Sequence, residues 1–534
     1  MRYAPAPRMR WRVPDTPGRA SGGSRHAERD SIAHASVRCG LGGITAANRQ
    51  ESRALMQLDW LHLGTLVALA HLLGLIAACH AILNTRTSQG AIAWAVSLTA
   101  MPYLTLIPYL FLGRSKFSGY VNARRNETDA LRTRSKPALW DTHGSSLGAP
   151  KAALGLASVR ALTHLGGMPF VGGNAVRVLV NGDATFAAIF AALETARHCV
   201  IVQFFIVRDD ALGDMLRDAL LACAARGVRC YLLYDSIGSF DLPHRYVSAL
   251  RAGGVEVHPF KTNRQFVNRF QLNFRNHRKI VVVDGTRAFV GGHNVGVEYL
   301  GGNPHLSPWR DTHIELRGPV VESIRYVFAE DWHWATQTLP VAAPPAEPVP
   351  DADMHCLVVP MGPADKQETG SLFFVEAIHA ARERIWITSP YLVPDEAVTA
   401  ALKLAVLRGV DVRILIPSRR DHVVVFAAST LYAHELADAG VKVFRYRPGF
   451  LHQKVVLIDR EAAAVGSANL DNRSFRLNFE LMVLTVNAGF ATEIETMLVE
   501  DFTNAFALDP AELQRAGAMR RMLMHVARLF APIL

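Results

Sequence analysis

The feature that most limits what this chain can fold into is a motif written twice. Asn276-His277-Arg278-Lys279-Ile280-Val281-Val282-Val283-Asp284 and Leu451-His452-Gln453-Lys454-Val455-Val456-Leu457-Ile458-Asp459 share the form His-x-Lys-x4-Asp. Their histidines lie 175 residues apart (452 − 277). Each motif is followed by small residues and an Asn: Gly291-Gly292-His293-Asn294 in the first copy, Gly466-Ser467-Ala468-Asn469 in the second. A repeat with matching flanks predicts one site assembled from two copies of one fold.

The hydrophobic run after each Lys is short and β-branched, the pattern of a buried strand. Residues two apart on a strand face the same way, so His277 and Lys279 should point into one pocket, as should His452 and Lys454. Each Asp follows its His by seven positions, an odd offset, and so reads as a strand-end turn residue; Asp284-Gly285 is itself a turn signal. An imidazole near neutral pH can act as nucleophile or general acid. Lys279, Lys454, Asn294 and Asn469, with Ser467 a weaker candidate, carry donors that could hold phosphoryl oxygens and offset charge developing on them. No cysteine or carboxylate cluster stands at metal-ligand spacing beside the motifs. These residue types suggest attack on a phosphodiester through a phosphohistidine, with neither metal nor cofactor.

The flanking text repeats as well. Cys199-Val200-Ile201-Val202 is echoed by Arg384-Ile385-Trp386-Ile387, and Arg226-Gly227-Val228-Arg229-Cys230-Tyr231 by Arg408-Gly409-Val410-Asp411-Val412-Arg413. Strands are expected at Val176–Val180, Cys199–Val207 and Val228–Tyr234, and helices at Ala184–Ala196, Leu212–Ala225 and Tyr246–Ala252. This predicts an α/β fold: two pseudo-twofold-related domains, 175–338 and 354–510, with mixed sheets flanked by helices. A Pro- and Ala-rich linker, 339–353, joins them. The segment 117–174 carries no assignable chemistry.

Upstream, residues 61–83 and 90–113 carry no charge, and each exceeds the roughly 20 residues that cross a bilayer. With a short polar loop between them they predict a transmembrane hairpin over 56–116. His62, His71 and His80 are spaced nine apart and project to alternate sides of a helix, so they cannot share a metal. Arg114, Lys116, Arg124 and Arg125 follow the second span, which places the catalytic part in the cytoplasm by the positive-inside rule. Residues 1–55 hold ten Arg, no Lys and four acidic residues, so they supply +6 of the net +10. They read as a disordered tail, or as sequence ahead of a translation start at Met56. The rest of the chain is only mildly basic, which argues against nucleic acid as a partner. Six scattered cysteines without a C-x-x-C suit a reducing compartment. Residues 511–534 read as a basic amphipathic helix that could lie on an anionic bilayer or pack on the protein.

The motifs and their flanks, with Trp309-Arg310-Asp311-Thr312-His313 and Asn469-Leu470-Asp471-Asn472-Arg473-Ser474-Phe475 running to Asn478-Phe479-Glu480, resemble the phospholipase D superfamily and, within it, the bacterial cardiolipin synthases. The resemblance covers nearly everything after about residue 56 and implies an inner-membrane enzyme. It would join two phosphatidylglycerols into cardiolipin and release glycerol. His277 would attack and His452 would serve as acid and then base. The resemblance also implies that Asp284 and Asp459 belong to the catalytic motifs, against the strand-parity reading above. It assigns a histidine-orienting carboxylate after each motif, here Asp311 and Glu480. Gly292 in the first copy stands where the second has Ser467, so the two oxyanion environments need not be equal. The same site in a phospholipase D, in another phosphatidyltransferase or in a superfamily nuclease would take a different acceptor. Oligomeric state is not legible in the sequence.

Overall fold

Short β-branched runs separated by amphipathic helices can bury their apolar faces only by stacking on one another, and here they do so around one sheet. The structure, a computed structural model, describes residues 41–85, 88–113, 148–261, 274–341, 344 and 346–534. In the first half the main strands are β1 Val171–Val180, β2 Cys199–Phe204, β3 Arg229–Asp235, β4 Glu256–Phe260, β5 Ile280–Val283, β6 Arg287–Gly291 and β7 Thr312–Arg317. In the second half they are β8 Met354–Met361, β9 Arg384–Thr388, β10 Asp411–Pro417, β11 Lys442–Tyr446, β12 Val455–Ile458, β13 Ala462–Gly466, β14 Asn478–Val486 and the short β15 Ala505–Ala507.

Their spatial order is 15-11-10-9-12-13-14-8-1-7-6-5-2-3-4. Read outward from the middle, 1-7-6-5-2-3-4 and 8-14-13-12-9-10-11 are the same topology. In each half three strands are parallel and the others antiparallel. The expected pair of mixed sheets is thus joined into one, because β1 and β8 pair antiparallel at the pseudo-twofold axis. One hydrophobic cluster draws side chains from both halves, with Trp332 and Val282 beside Val455 and Leu498.

Two short pairings cross between the halves. Arg275–Asn276 runs parallel to Asn478–Phe479, and Trp309–Arg310 runs parallel to Phe450–Leu451. The His-Lys segments therefore sit ahead of β5 and β12 rather than on them. Each leaves a strand of the opposite half before joining its own sheet.

The upstream region differs in detail from the sequence expectation. Helix α1 spans Leu41–Asn84, so residues 41–55 are helical rather than part of a structureless tail; residues 1–40 lie outside the described residues. Among the described residues, His62–Asn84 is the one helix long and apolar enough to cross a membrane. The second expected span is not one helix but two, α2 Ser88–Ala100 and α3 Pro102–Leu112. Pro102 has no N–H to continue the ladder and instead opens a new helix. His80 Nδ1 lies 2.7 Å from the Tyr109 hydroxyl, so α3 folds back against α1. Arg114, Lys116, Arg124 and Arg125 fall outside the described residues. Part of the segment read as featureless forms α4 Gly148–Leu154 and α5 Leu156–Gly166, and β1 starts five residues earlier than expected, at Val171.

Candidate active site

The crossing pairs set the geometry of the histidines. Asn478 and Phe479 pair with Arg275 and Asn276, so the next residues in register are Glu480 and His277. The His277 N–H donates to the Phe479 carbonyl at 2.9 Å. On the other side Leu451 pairs with Arg310, which sets His452 beside Asp311, and the His452 N–H donates to the Arg310 carbonyl at 2.8 Å. Neighbours in a parallel pair carry side chains on one face, and the side chains do meet. His277 Nδ1 lies 2.9 Å from both Glu480 oxygens, and His452 Nδ1 lies 2.7 Å from Asp311 Oδ2. Each imidazole is thus held by the carboxylate of the opposite half. A nitrogen facing a carboxylate must carry the proton, so both Nε2 atoms keep a lone pair for chemistry.

Both sites are deeply enclosed. Burial pushes His277 down to about 4, with Glu480 opposing the shift and Lys279 adding to it. Burial likewise pushes His452 to about 4, with Lys454 adding and Asp311 opposing. Burial works against charge on Glu480 and Asp311 too. At Glu480 the neighbouring His277 and Lys279 outweigh it; at Asp311 His293, Lys454 and His452 do, so both carboxyls sit below their usual range. Lys279 is fully buried, donates to the His277 carbonyl at 2.7 Å and is held well below an ordinary lysine by that burial. Lys454 Nζ lies over the His452 ring, 2.9 Å from Nδ1 and 3.2 Å from Nε2, and burial lowers it to about 8. Each histidine feels the lysine of the other motif, so the two motifs form one electrostatic site. Phe205 walls it beside His277, with ring centroids 5.0 Å apart, and Trp309 does so beside His452, also at 5.0 Å.

The two carboxylates are held differently. Glu480 also accepts from Ser467 Oγ at 2.6 Å, Ser474 Oγ at 2.9 Å and Asn478 Nδ2 at 3.0 Å. Asp311 accepts from its neighbour Thr312 N–H at 2.8 Å. A Cβ added at Gly292 would stand 2.1 Å from Asp311 Oδ1, so the shorter carboxylate needs a glycine where the longer one has a serine donor. This accounts for the Gly292/Ser467 asymmetry. It also corrects the expectation that Ser467 binds phosphate, since its hydroxyl is committed to Glu480. The Asn294 amide accepts from Ile206 N–H and donates to the Tyr299 hydroxyl. Asn469 donates to Asp471 Oδ2 at 3.2 Å, while its buried Oδ1 has no hydrogen-bond partner. Among the described residues no group of three or more His, Cys, Asp or Glu is arranged to hold a metal ion.

A family model described as "Cardiolipin synthase, PLD-like domain" matches residues 189–314 and 374–502, one segment in each half. A cardiolipin synthase A of Pseudomonas aeruginosa is 56% identical over 490 residues, covering 92% of this chain and 99% of the relative. The chain belongs to the cardiolipin synthase family. A second relative, the cardiolipin synthase A of Pseudomonas fluorescens, is 58% identical over 471 residues, 88% of this chain and 98% of its own. Among solved structures, a phosphatidylserine synthase of Haemophilus influenzae is 13% identical and shares the fold, with a TM-score of 0.54 over 71% of this chain and all of that one.

Within this cardiolipin synthase family site, the two motif aspartates stand apart from the imidazoles. Asp284 accepts from the backbone N–H groups of Arg197, His198 and Cys199; Asp459 accepts from those of Arg382, Glu383 and Arg384. Both adopt positive φ, 53° and 50°, as turn residues. These contacts are at the start of β2 and β9. His277 meets Phe205 at the far end of β2, about 17 Å away at roughly 3.3 Å per residue. The strand-parity reading is therefore the correct one, and the catalytic placement implied by resemblance is corrected: these carboxylates tie strand ends.

Sequence reasoning missed a second layer. Arg278 forms a buried ion pair with Asp331 and donates to the Glu480 carbonyl at 3.0 Å. Arg310 forms a buried pair with Asp501 and donates to the Asp311 carbonyl at 2.9 Å. Each His-holding carboxylate thus has its backbone clamped by a buried Arg–Asp pair. The signal was present: Glu330-Asp331-Trp332 and Glu500-Asp501-Phe502 echo one another, each placing an aspartate on the buried face of its helix.

Proposed function

We propose that this site transfers a phosphatidyl group between two phosphatidylglycerol molecules, giving cardiolipin and glycerol through a phosphohistidine. The observation that carries the reading is the pair of crossed imidazole–carboxylate contacts facing one buried site with two lysines. His277 Nε2 attacks phosphorus of the first lipid while Glu480 stabilises the imidazolium that forms. The bound phosphodiester anion raises His452 from its low value, so that it can protonate the departing glycerol oxygen. His452 then takes the proton of a hydroxyl on the second phosphatidylglycerol, whose oxygen displaces His277 and closes the cycle. Lys279 and Lys454 balance the phosphoryl charge, and the unpartnered Asn469 amide oxygen is available to an incoming hydroxyl. This is ping-pong covalent catalysis.

We place the catalytic halves on the cytoplasmic face of the inner membrane, anchored by the span His62–Asn84 and the helices that return from it. The deciding experiment is purified protein in mixed micelles with phosphatidylglycerol and a chelator. Cardiolipin and glycerol should appear one to one, and His277→Ala and His452→Ala should each abolish them. Phosphatidic acid as the main product would instead indicate a hydrolase, and cleavage of DNA with no lipid turnover would indicate a nuclease.

A further inference from the structure

The C-terminal helix, Ala518–Leu529, is inside out for a surface helix. Its buried side is made by Met524, Ala527 and the following Ala531, and the two alanines pack with Val393 and Ala428. At roughly 100° per residue, Met519, Met522, Leu523, Val526, Leu529 and Phe530 share one face, turned away from that contact. All six are exposed, Leu529 at 77% and Met519 at 65%. An ordinary surface helix carries its charges on the outward face. Here the arginines flank the inward one: Arg528 bonds Glu435 at 2.6 Å and lies 4.5 Å from the centroid of Tyr432, and Arg520 reaches toward Glu512. The helix partner Val423–Asp438 adds exposed Val423 and Val424. From 512 to 534 there is one acid, Glu512, against Arg515, Arg520, Arg521 and Arg528.

We propose that this face is a second, peripheral docking surface for an anionic lipid bilayer, separate from the membrane-crossing helix. An outward apolar strip flanked by arginines is the form of helix that lies in the headgroup layer, with its apolar side chains among the acyl chains and its cations at phosphate level. A continuous apolar face of this kind marks an interaction surface rather than chance exposure. Excess positive charge selects an anionic lipid surface over a neutral one. The surface also connects to the chemistry. Arg473 N–H donates to the Leu534 carbonyl at 2.8 Å, the next residue Ser474 donates to Glu480, and Glu480 holds His277. Docking would seat the segment that braces the catalytic turn while bringing the site to its lipid.

The proposal rests on the lipid reading of the site, and its test separates the two. The double variant Leu523→Asn/Leu529→Asn and the parent full-length protein are assayed on short-chain phosphatidylglycerol below its micellar concentration. They are then assayed on long-chain phosphatidylglycerol diluted into phosphatidylcholine vesicles. The expected result is equal turnover of the monomeric lipid and about tenfold less cardiolipin from dilute vesicles with the variant. Equal vesicle rates overturn the proposal. So does an equal loss on both substrates, which would make the face structural, or a drop in oligomer mass on substitution, which would assign it to a second copy of the chain. A parent that makes cardiolipin from neither substrate refutes the underlying lipid reading, and the docking proposal falls with it.

Discussion

Replacing Glu480 by Gln keeps the shape of the side chain and removes its charge. In the parent, that fully buried carboxylate accepts from His277, Ser467, Ser474 and Asn478. An amide offers one acceptor oxygen and turns a donor toward the others. Losing a charged hydrogen bond costs about 1.5–3 kcal/mol. Leaving buried cationic groups at His277 and Lys279 without their counter-charge brings the total to about 3–5 kcal/mol. If the transition state bears all of it, turnover falls about 10²–10⁴-fold. The assay is single-turnover cardiolipin formation from radiolabelled phosphatidylglycerol, with circular dichroism to verify the fold. A folded variant retaining more than about a tenth of the parental rate would refute the reasoning. An aryl phosphodiester extends the test, because its leaving group needs no general acid. Asp311→Asn, which impairs the acid held at His452, should recover a burst of released phenol on that substrate. Glu480→Gln, which impairs the nucleophile, should not. The opposite pattern would reverse the roles of the two histidines.

Gly292→Ser should lower activity about a hundredfold, because its Cβ would stand 2.1 Å from Asp311 Oδ1 and the carboxylate must move. The mirror change, Ser467→Gly, removes one donor of several from Glu480 and should cost about tenfold. Steady-state kinetics on both variants check the order, and equal losses would contradict it. Lys454 is charged below about 8 and discharges above it, so activity should fall as pH rises through that value; a profile flat to about pH 10 counts against a charged lysine in the reaction. Asp284→Ala and Asp459→Ala should lower the thermal midpoint while leaving turnover per folded molecule within a few-fold, measured by melting and active-site titration. His277 and His452 fall from 6.5 unfolded to about 4 folded, so the unfolded chain binds more protons between those values. Stability should therefore be full above about 6.5 and drain away as pH falls through this window, which melting curves at graded pH would reveal.

Much of this was legible in the chain because a repeat exposes itself. The duplicated His-x-Lys text located the imidazoles and lysines, and the echoing strands gave the two-domain α/β plan. Strand parity correctly kept Asp284 and Asp459 out of the pocket, where motif membership misled. What the sequence hid was anything decided by register between the halves. An orienting carboxylate assigned after each motif suggests service to its own histidine, yet the two-residue pairings at Arg275–Asn276 and Trp309–Arg310 exchange them. No local pattern reports on pairings that short. The break at Met101 was masked for a related reason: an uncharged run sets hydropathy, while one missing N–H at Pro102 sets continuity.

The exchange of carboxylates has a consequence for how such a molecule can change. A single unpaired half would own an imidazole without its acid and an acid without its imidazole, so the site is complete only where two halves meet. Split versions should regain activity only when two halves associate, and a lesion in one copy should be correctable by a substitution in the other. The duplication is thereby locked in place, yet the two halves remain free to diverge in chemistry. One has come to pair a longer acid with serine and the other a shorter acid with glycine, a division of labour that two identical copies could not express.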